Sequence, residues 1–213
     1  MICVSLAEKT TRGILASLPF HPFAEIRLDA VARLTAADIE RIFVSHPRLI
    51  ATCRPGRVVE PKRIARLLEA VAAGAAYVDL EIETASADMK RIARAARARN
   101  CLLIVSSHNM KRTPARAVLE DIRRRGFKAG ADIVKIACAS SGASDNARLL
   151  ALLDYPRPVV AIGLGPSGKI TRLAAPLLGA PFTYAAAAAG KETAAGQIEA
   201  AGLLRAWKEW ENA

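Results

Sequence analysis

One lysine of this chain has the surroundings expected of a reacting group. Lys135 lies in the apolar run Ala-Asp-Ile-Val-Lys-Ile-Ala at residues 131–137, where an ammonium costs several kcal/mol unless it is paired or neutral. A lysine amine that is held neutral is a nucleophile, and it can form a Schiff base with a ketone or an aldehyde. The alternative is a structural lysine that pairs with Glu81 or another inward carboxylate.

A histidine at the end of a second apolar run suits the same chemistry. His108 follows Ser106 and Ser107, and an imidazole beside a carbonyl bound as an imine can remove an α-proton and later return it to a leaving group. The alternative is a loop histidine that satisfies a helix N-terminus. His21 and His46 lie beside prolines and suggest no chemistry.

Three arginines belong to three different barrel units, within or after an apolar run. Arg27, Arg54 and Arg172 are predicted to converge and to bind an anionic, carboxylate-bearing small molecule. The Gly-Leu-Gly-Pro-Ser-Gly segment at residues 163–168 could offer backbone N–H groups to an anion, although such segments are also common as simple turns.

Composition describes a compact globular chain. Its 213 residues are 52% apolar, and 31 Lys and Arg against 20 Asp and Glu give a net charge of +11, which suits an anionic partner. The four cysteines are far apart and lie in or beside apolar runs, which predicts buried thiols in a reducing compartment rather than a zinc site or disulfides. Without a secretory leader or a long apolar run, we expect a cytoplasmic protein that does not bind membranes.

Eight short apolar runs alternate with eight segments of helical period. This alternation predicts parallel strands joined by right-handed crossovers. It favours a single (β/α)8 barrel domain over residues 1–213, because eight units close a barrel and no glycine-rich dinucleotide motif follows the first strand. An open doubly wound sheet is the alternative. The predicted strands are residues 2–6, 24–28, 49–53, 77–82, 102–106, 132–137, 158–162 and 182–185.

The predicted helices are residues 10–18, 36–45, 61–74, 87–99, 114–125, 146–153, 169–178 and 194–210. In the third, Ile64, Leu67, Leu68 and Val71 share one face, and Lys62, Arg63 and Arg66 are expected to face water. Pro61 and Pro114 are predicted in first turns, Ser86 or Thr193 as N-terminal caps, and Gly74, Gly126 and Gly179 just past helix ends.

Taken in order, these strand ends resemble the type I 3-dehydroquinate dehydratases of the shikimate pathway over essentially the whole chain. The matching segments are Ile-Cys-Val-Ser-Leu at 2–6, Glu-Ile-Arg-Leu-Asp at 25–29, Thr-Cys-Arg at 52–54, Tyr-Val-Asp-Leu-Glu at 77–81, Ser-Ser-His at 106–108, Thr-Pro at 113–114, Asp-Ile-Val-Lys-Ile-Ala at 132–137, Gly-Lys-Ile-Thr-Arg at 168–172 and Thr-Ala-Ala-Gly-Gln at 193–197.

The resemblance implies a (β/α)8 barrel, commonly a homodimer, that needs no metal or organic cofactor and dehydrates 3-dehydroquinate to 3-dehydroshikimate. Lys135 would form the Schiff base with the C3 ketone, and His108 would move the C2 proton and assist loss of the C1 hydroxyl. Arg172, Gln197 and Thr193 would contact the substrate carboxylate. Ring hydroxyls would be bound by Glu25, Arg27 and Arg54.

The chain also departs from that family pattern. The family often has a glutamate four residues after the strand-three arginine, which orients the histidine; Val58 stands there in this chain, and Glu60 is the candidate substitute. Asn109 replaces a usual aspartate after the histidine. Thr193, Ala195, Ile162 and Leu164 are further changes.

Two other functions compete with the dehydratase. A Schiff-base aldolase or transaldolase would also use a barrel lysine, but it usually needs a phosphate site on the last strands. A nucleic-acid-binding protein would explain the charge of +11, yet aromatic residues make up only 5% of the chain and no recognition motif is present. The sequence therefore predicts a small anionic substrate and no nucleic-acid partner.

Overall fold

The computed structural model describes residues 1–212, in which eight parallel strands and eight helices alternate as a (β/α)8 barrel. All eight predicted strands are confirmed, and most ends move by one to three residues. The strands are β1 (Ile2–Leu6), β2 (Ala24–Arg27), β3 (Leu49–Thr52), β4 (Tyr77–Glu81), β5 (Leu102–Asn109), β6 (Ile133–Ala139), β7 (Val159–Leu164) and β8 (Thr183–Ala186). The helices are α1 (Thr11–Ser17), α2 (Ala36–Val44), α3 (Glu60–Ala72), α4 (Ser86–Ala98), α5 (Arg116–Lys128), α6 (Ala143–Leu150), α7 (Lys169–Ala174) and α8 (Ala200–Glu211).

The strand order is β7-β6-β5-β4-β3-β2-β1-β8, so the barrel is nearly closed, with a seam between β7 and β8. Side chains of α7 satisfy backbone groups at this seam. Thr171 Oγ1 accepts from the Gly163 N–H of β7 at 2.8 Å, and Arg172 Nη1 donates to the Tyr184 carbonyl of β8 at 3.1 Å. The hydrogen bond to β8 therefore holds the Arg172 guanidinium against the barrel strands at the seam.

Two apolar layers hold the barrel together. One lies between the strands and the helices, and it includes Ile26, Leu67 and Val105. The other fills the barrel interior, where Phe23 and Phe182 meet edge to face at 5.1 Å and Tyr77 lies 5.4 Å from Phe23. These three residues lie at or just before the starts of strands, so they close the N-terminal end of the barrel and leave the other end for a site.

Helix ends follow the predicted signals only in part. Pro61 lies in the first turn of α3, and Gly74 adopts positive φ just after that helix. Gly179 adopts positive φ just after the 3₁₀ turn at 175–178 that continues α7. The expectation for Gly126 is wrong. It lies inside α5, where a Cβ would come within 2.7 Å of Val134 Cγ2. This glycine lets the helix approach β6 closely.

Three other expectations about helix starts fail. Pro114 precedes α5 rather than lying in its first turn, and Ser86 is the first residue of α4 with no side-chain cap there. The last helix begins at Ala200 rather than 194, and Thr193 does not cap it. Residues 194–199 form a loop instead, in which Gly196 has φ +74° and the backbone of Glu199 forms an isolated parallel β-bridge with Ala186.

Two arginines of α3 are buried rather than facing water as predicted. Arg63 donates to the Cys53 carbonyl at 3.2 Å and to Thr84 at 3.1 Å, and Arg66 donates to the Leu28 carbonyl at 2.9 Å. Their side chains satisfy carbonyls of the loops that follow β2 and β3. They thereby tie α3 to the ends of those strands.

The four cysteines are buried free thiols, as the sequence predicts. Among residues 1–212, none of the helices is both long enough and apolar enough to cross a membrane.

Candidate active site

A cavity of about 210 Å³ opens at the C-terminal ends of the strands, and all eight site residues predicted from the sequence line it. They come from β2 (Glu25, Arg27), the end of β3 (Arg54), β5 (His108), β6 (Lys135), α7 (Arg172) and the loop before α8 (Thr193, Gln197). Met110, Ala137, Ile162, Leu164, Tyr184 and Ala194 supply most of the apolar wall. Such a cavity suits a small polar molecule.

Lys135 is 4% exposed and lies on the inner face of β6. Its Nζ donates to Asp79 Oδ2 at 2.9 Å and lies 3.9 Å from Glu25 Oε1. The Tyr184 ring covers the amine, with Nζ 4.2 Å from the ring centroid. The inward carboxylates beside the lysine are therefore Asp79 and Glu25, whereas Glu81 binds other groups.

Arg54 organises the carboxylates of β4. Its Nη1 and Nη2 donate to the two oxygens of Asp79 at 3.0 and 2.9 Å, and Nη1 also donates to Glu81 Oε1 at 2.6 Å. Burial alone would raise the pKa of Asp79, but Arg54 and Lys135 outweigh it and hold that pKa well below its usual range. Asp79 is thus an anion shared between two cations.

His108 contacts Glu81 from the neighbouring strand. Its Nδ1 lies 2.9 Å from Glu81 Oε2. Burial lowers the pKa of His108 below its ordinary value, and the hydrogen bond that His108 makes to Glu81 opposes that effect. The imidazole is therefore predominantly neutral at neutral pH and able to accept a proton.

The expectation that Glu60 substitutes beside His108 is wrong. Glu60 is exposed at 46% of its side chain and binds Arg63 with both oxygens, at 2.6 and 2.8 Å. It lies in the first turn of α3, on the outside of the barrel. The carboxylate at the histidine comes from β4.

Arg27 and Arg172 differ in how their charge is balanced. Arg27 donates two hydrogen bonds to Asp29, at 3.0 and 2.8 Å. Arg172 is 1% exposed, forms no salt bridge within residues 1–212, and leaves Nε and Nη2 buried without a partner. Burial lowers the pKa of Arg172 to about 10, which still leaves it charged at neutral pH. Arg172 is therefore a free cation at the cavity, suited to a carboxylate.

The loop before α8 is fastened to the barrel rim. Thr193 N donates to Gln197 Oε1 at 2.7 Å, and Thr193 Oγ1 bonds Ser5 Oγ at 2.8 Å. Ser5 in turn donates to Glu25. A Cβ on Gly196 would lie 2.1 Å from the Gly165 carbonyl oxygen, so this loop packs directly against the loop after β7.

The three glycine N–H groups of the loop at 163–168 are not free for the anion cradle that the sequence suggested. The N–H groups of Gly163, Gly165 and Gly168 already donate to Thr171 Oγ1, the Ala195 carbonyl and the Gly165 carbonyl. A Cβ on Gly168 would lie 2.3 Å from the Gly163 carbonyl carbon. These glycines serve close packing, and the unpartnered donor nitrogens beside this loop are those of Arg172.

Four residues of the site were not predicted as site residues, although each lies on a predicted strand. One of them is Glu81 on β4, which contacts His108. Ser5 on β1 and Asp79 on β4 pair with Glu25 and Lys135, and Tyr184 on β8 covers the amine. Asp79 alternates with Glu81 at a spacing of two, which was a signal for an inward face. Within the part of the chain that the structure describes, no group of three or more His, Cys, Asp or Glu side chains is arranged to hold a metal ion.

Comparison with known proteins adds family evidence to this geometry. Residues 2–211 match the model of the type I 3-dehydroquinase family. A 3-dehydroquinate dehydratase of Desulfotalea psychrophila is 36% identical over 214 residues, which cover 92% of each chain. A 3-dehydroquinate dehydratase of Methanothermobacter thermautotrophicus is 35% identical over 211 residues, covering 93% of this chain and 91% of the relative.

Solved structures agree at the level of the fold. The 3-dehydroquinate dehydratase of Aquifex aeolicus superposes with a TM-score of 0.82 at 24% identity, and the alignment covers all of both chains. That of Geobacillus kaustophilus gives 0.85 at 22% identity and covers 99% of this chain and 91% of the other.

Proposed function

The chain belongs to the type I 3-dehydroquinase family and is a hydro-lyase, a 3-dehydroquinate dehydratase, and from that premise we propose that it works through a Schiff base at Lys135 with His108 as the proton-transfer group. The single observation that supports this mechanism best is one buried amine and one neutral imidazole on neighbouring strands at the same cavity.

The reaction sequence balances with these two groups alone. One proton of the Lys135 ammonium passes to His108, and the free amine adds to the C3 ketone. The ketone oxygen then leaves as water, with the proton from His108 and one from the nitrogen, which gives a protonated imine. His108 takes a C2 proton, and the electron pair passes into the imine to give an enamine. The enamine then expels the C1 hydroxyl, which leaves as water with the proton from His108. Hydrolysis of the conjugated imine releases 3-dehydroshikimate and restores the lysine.

The surrounding charges suit that sequence. The unpartnered Nε and Nη2 of Arg172 would bind the substrate carboxylate. Glu25 and Arg27 would bind ring hydroxyls, and Thr193 and Gln197 would contact the carboxylate from the loop before α8. The cavity face of Tyr184 would stabilise the iminium cation, since the lysine nitrogen already lies over the ring.

The aldolase alternative has less support. Such an enzyme would need a phosphate site near the last strands, and the N–H groups of the three glycines at 163–168 are already hydrogen-bonded. Arg172 alone, with its two unpartnered donor nitrogens Nε and Nη2, suits a planar carboxylate better than a phosphate.

Steady-state kinetics test the proposed mechanism. With 3-dehydroquinate we expect the wild type to produce the conjugated enone, and we expect Lys135→Met and His108→Gln each to lower kcat by at least about 100-fold. Either variant retaining wild-type kcat would contradict its proposed role. Cleavage of a phosphorylated ketose in place of dehydration would instead support an aldolase.

The assembly and location of the protein stay predictions. The resemblance implies a homodimer, and the sequence suggests a cytoplasmic location. Light scattering on the purified chain would measure the mass of the particle and test the first of these.

A further inference from the structure

The Glu81 carboxylate is held on both of its oxygens. Oε1 accepts from Arg54 Nη1 at 2.6 Å, and Oε2 lies 2.9 Å from His108 Nδ1. Arg54 is itself fixed by two bonds to Asp79 and by Ser106. The imidazole is thus attached to a rigid network that spans β3, β4 and β5.

This arrangement has a consequence for the histidine tautomer. An ionised carboxylate only accepts hydrogen bonds, so Nδ1 must be the donor. A neutral imidazole with its proton on Nδ1 carries its lone pair on Nε2. Nε2 is therefore the atom that is left free to take a proton.

We infer that Glu81 is the positioning residue of His108, fixing the Nδ1–H tautomer so that Nε2 is the base. The inference rests on the proposed function of His108 and names the residue that sets its proton. Within residues 1–212, the only carboxylate bonded to His108 is that of Glu81, because position 58 is a valine and Glu60 binds Arg63.

The charged groups that face His108 come from three elements. Burial has the largest effect and lowers the pKa of His108, Arg54 and Lys135 lower it further, and Glu81 raises it. Loss of the Glu81 charge therefore lowers the pKa of His108. Because the base must be unprotonated, the acid limb of the kcat/KM profile then moves to lower pH.

Glu81→Gln is the sharpest variant because it keeps the shape of the side chain. Arg54 is only a donor, so the amide oxygen of Gln must face Arg54 and its NH2 group must face His108. The NH2 group would make Nδ1 an acceptor and move the imidazole proton to Nε2. The base would then be blocked although the residues stay in place.

Nitrogen-15 NMR of the imidazoles reads the tautomer directly, and the chain has only three histidines. His21→Gln and His46→Gln assign the signals. In the wild type above the His108 pKa, we expect a protonated Nδ1 and an unprotonated Nε2. Glu81→Gln should reverse this pattern, lower kcat by about 100- to 10,000-fold with a small change in KM, and shift the acid limb of residual activity to lower pH.

Glu60→Gln is the matched control, since it removes an equivalent charge from the first turn of α3, outside the cavity. It should leave the His108 signals and kcat unchanged. A wild-type His108 protonated on Nε2 would overturn the inference even if no variant folded. So would an unchanged tautomer and kcat in Glu81→Gln.

Enone formation and adduct trapping test the proposed function separately from the role of Glu81. If the wild type neither forms the enone nor traps an adduct at Lys135, the imine mechanism is wrong whatever tautomer His108 has. If the wild type does both and Glu81→Gln behaves like it, only the inference about Glu81 is wrong.

Discussion

Replacing Arg172 with methionine should stabilise the folded chain while removing most of its activity. Arg172 is fully buried, and two of its donor nitrogens, Nε and Nη2, have no partner. Burial lowers its pKa to about 10, and because one pKa unit corresponds to about 1.4 kcal/mol, the charge costs on the order of 3 kcal/mol in the folded state. Two unsatisfied buried donors lead to a cost of similar size.

The net gain is smaller than that cost. The Arg172→Met variant would lose the hydrogen bond from Nη1 to the Tyr184 carbonyl, which contributes about 1 kcal/mol. We therefore expect the free energy of unfolding to rise by about 1–3 kcal/mol. For a chain of this length, Tm should rise by roughly 2–10 °C.

The same change should be costly for catalysis. Each hydrogen bond from a charged donor to the substrate carboxylate contributes about 1.5–3 kcal/mol, so the loss of two should lower kcat/KM by about 100- to 10,000-fold. Thermal unfolding followed by circular dichroism and initial rates of enone formation measure the two effects. Arg94→Met is the control, because Arg94 is exposed on α4 away from the cavity and should change stability by less than about 0.5 kcal/mol.

The two readouts together make this test strict. A lower Tm in Arg172→Met would refute the claim that its charge is uncompensated in the free protein. Retention of kcat/KM within about threefold would refute its role in binding the carboxylate.

Packing and charge lead to three further predictions. Tyr184→Phe removes a buried hydroxyl that has no partner and should raise the free energy of unfolding by about 1 kcal/mol in thermal melts; a fall would show that the hydroxyl is satisfied. Gly196→Ala places a Cβ 2.1 Å from the Gly165 carbonyl oxygen, so it should lower the free energy of unfolding by about 1–3 kcal/mol and raise KM. Gly190→Ala is the control for backbone strain, because Gly190 has a similar φ but open space around its Cβ position. Equal effects of the two variants would contradict the close packing at Gly196. Burial would raise the pKa of Asp79 and Glu25, but neighbouring cations outweigh it and lower both pKa values. The two carboxylates therefore stabilise the folded chain above about pH 5, and this stabilisation is lost progressively as the pH falls. Urea unfolding should give a lower free energy of unfolding at pH 3 than at pH 7, and equal values would contradict the prediction.

The barrel could be predicted because its signal is repeated eight times. Each unit pairs a short apolar run with an amphipathic helix, so errors in single boundaries do not change the topology. The predicted start of α8 is too early because Ala, Gln, Ile and Glu in residues 194–199 are all compatible with a helix. Tertiary packing overrides that propensity, since Gly196 needs positive φ to lie against the loop after β7.

The buried arginines of α3 illustrate a second limit. Arg63 and Arg66 were assigned to the solvent face because arginine is usually exposed. Their partners are carbonyls of the loops after β3 and β2, which lie elsewhere in the sequence. No local pattern in α3 reveals those acceptors.

The partner of His108 was misassigned for a similar reason. Glu60 lies near the expected position in the sequence, whereas the register between β4 and β5 decides which carboxylate contacts the histidine. Glu81 pairs with Ser106, and His108 lies two residues further on the same face of β5. The eight residues predicted to form the site do share one cavity, because the C-terminal ends of parallel barrel strands converge.

The most direct test of the proposed mechanism is chemical trapping of the imine. The protein is incubated with 3-dehydroquinate, reduced with borohydride and digested, and the adduct is located by peptide mass spectrometry. The mechanism predicts a ligand-sized adduct on Lys135 in the wild type and none in Lys135→Met. Enone formation without any adduct, or an adduct on a different lysine, would contradict it.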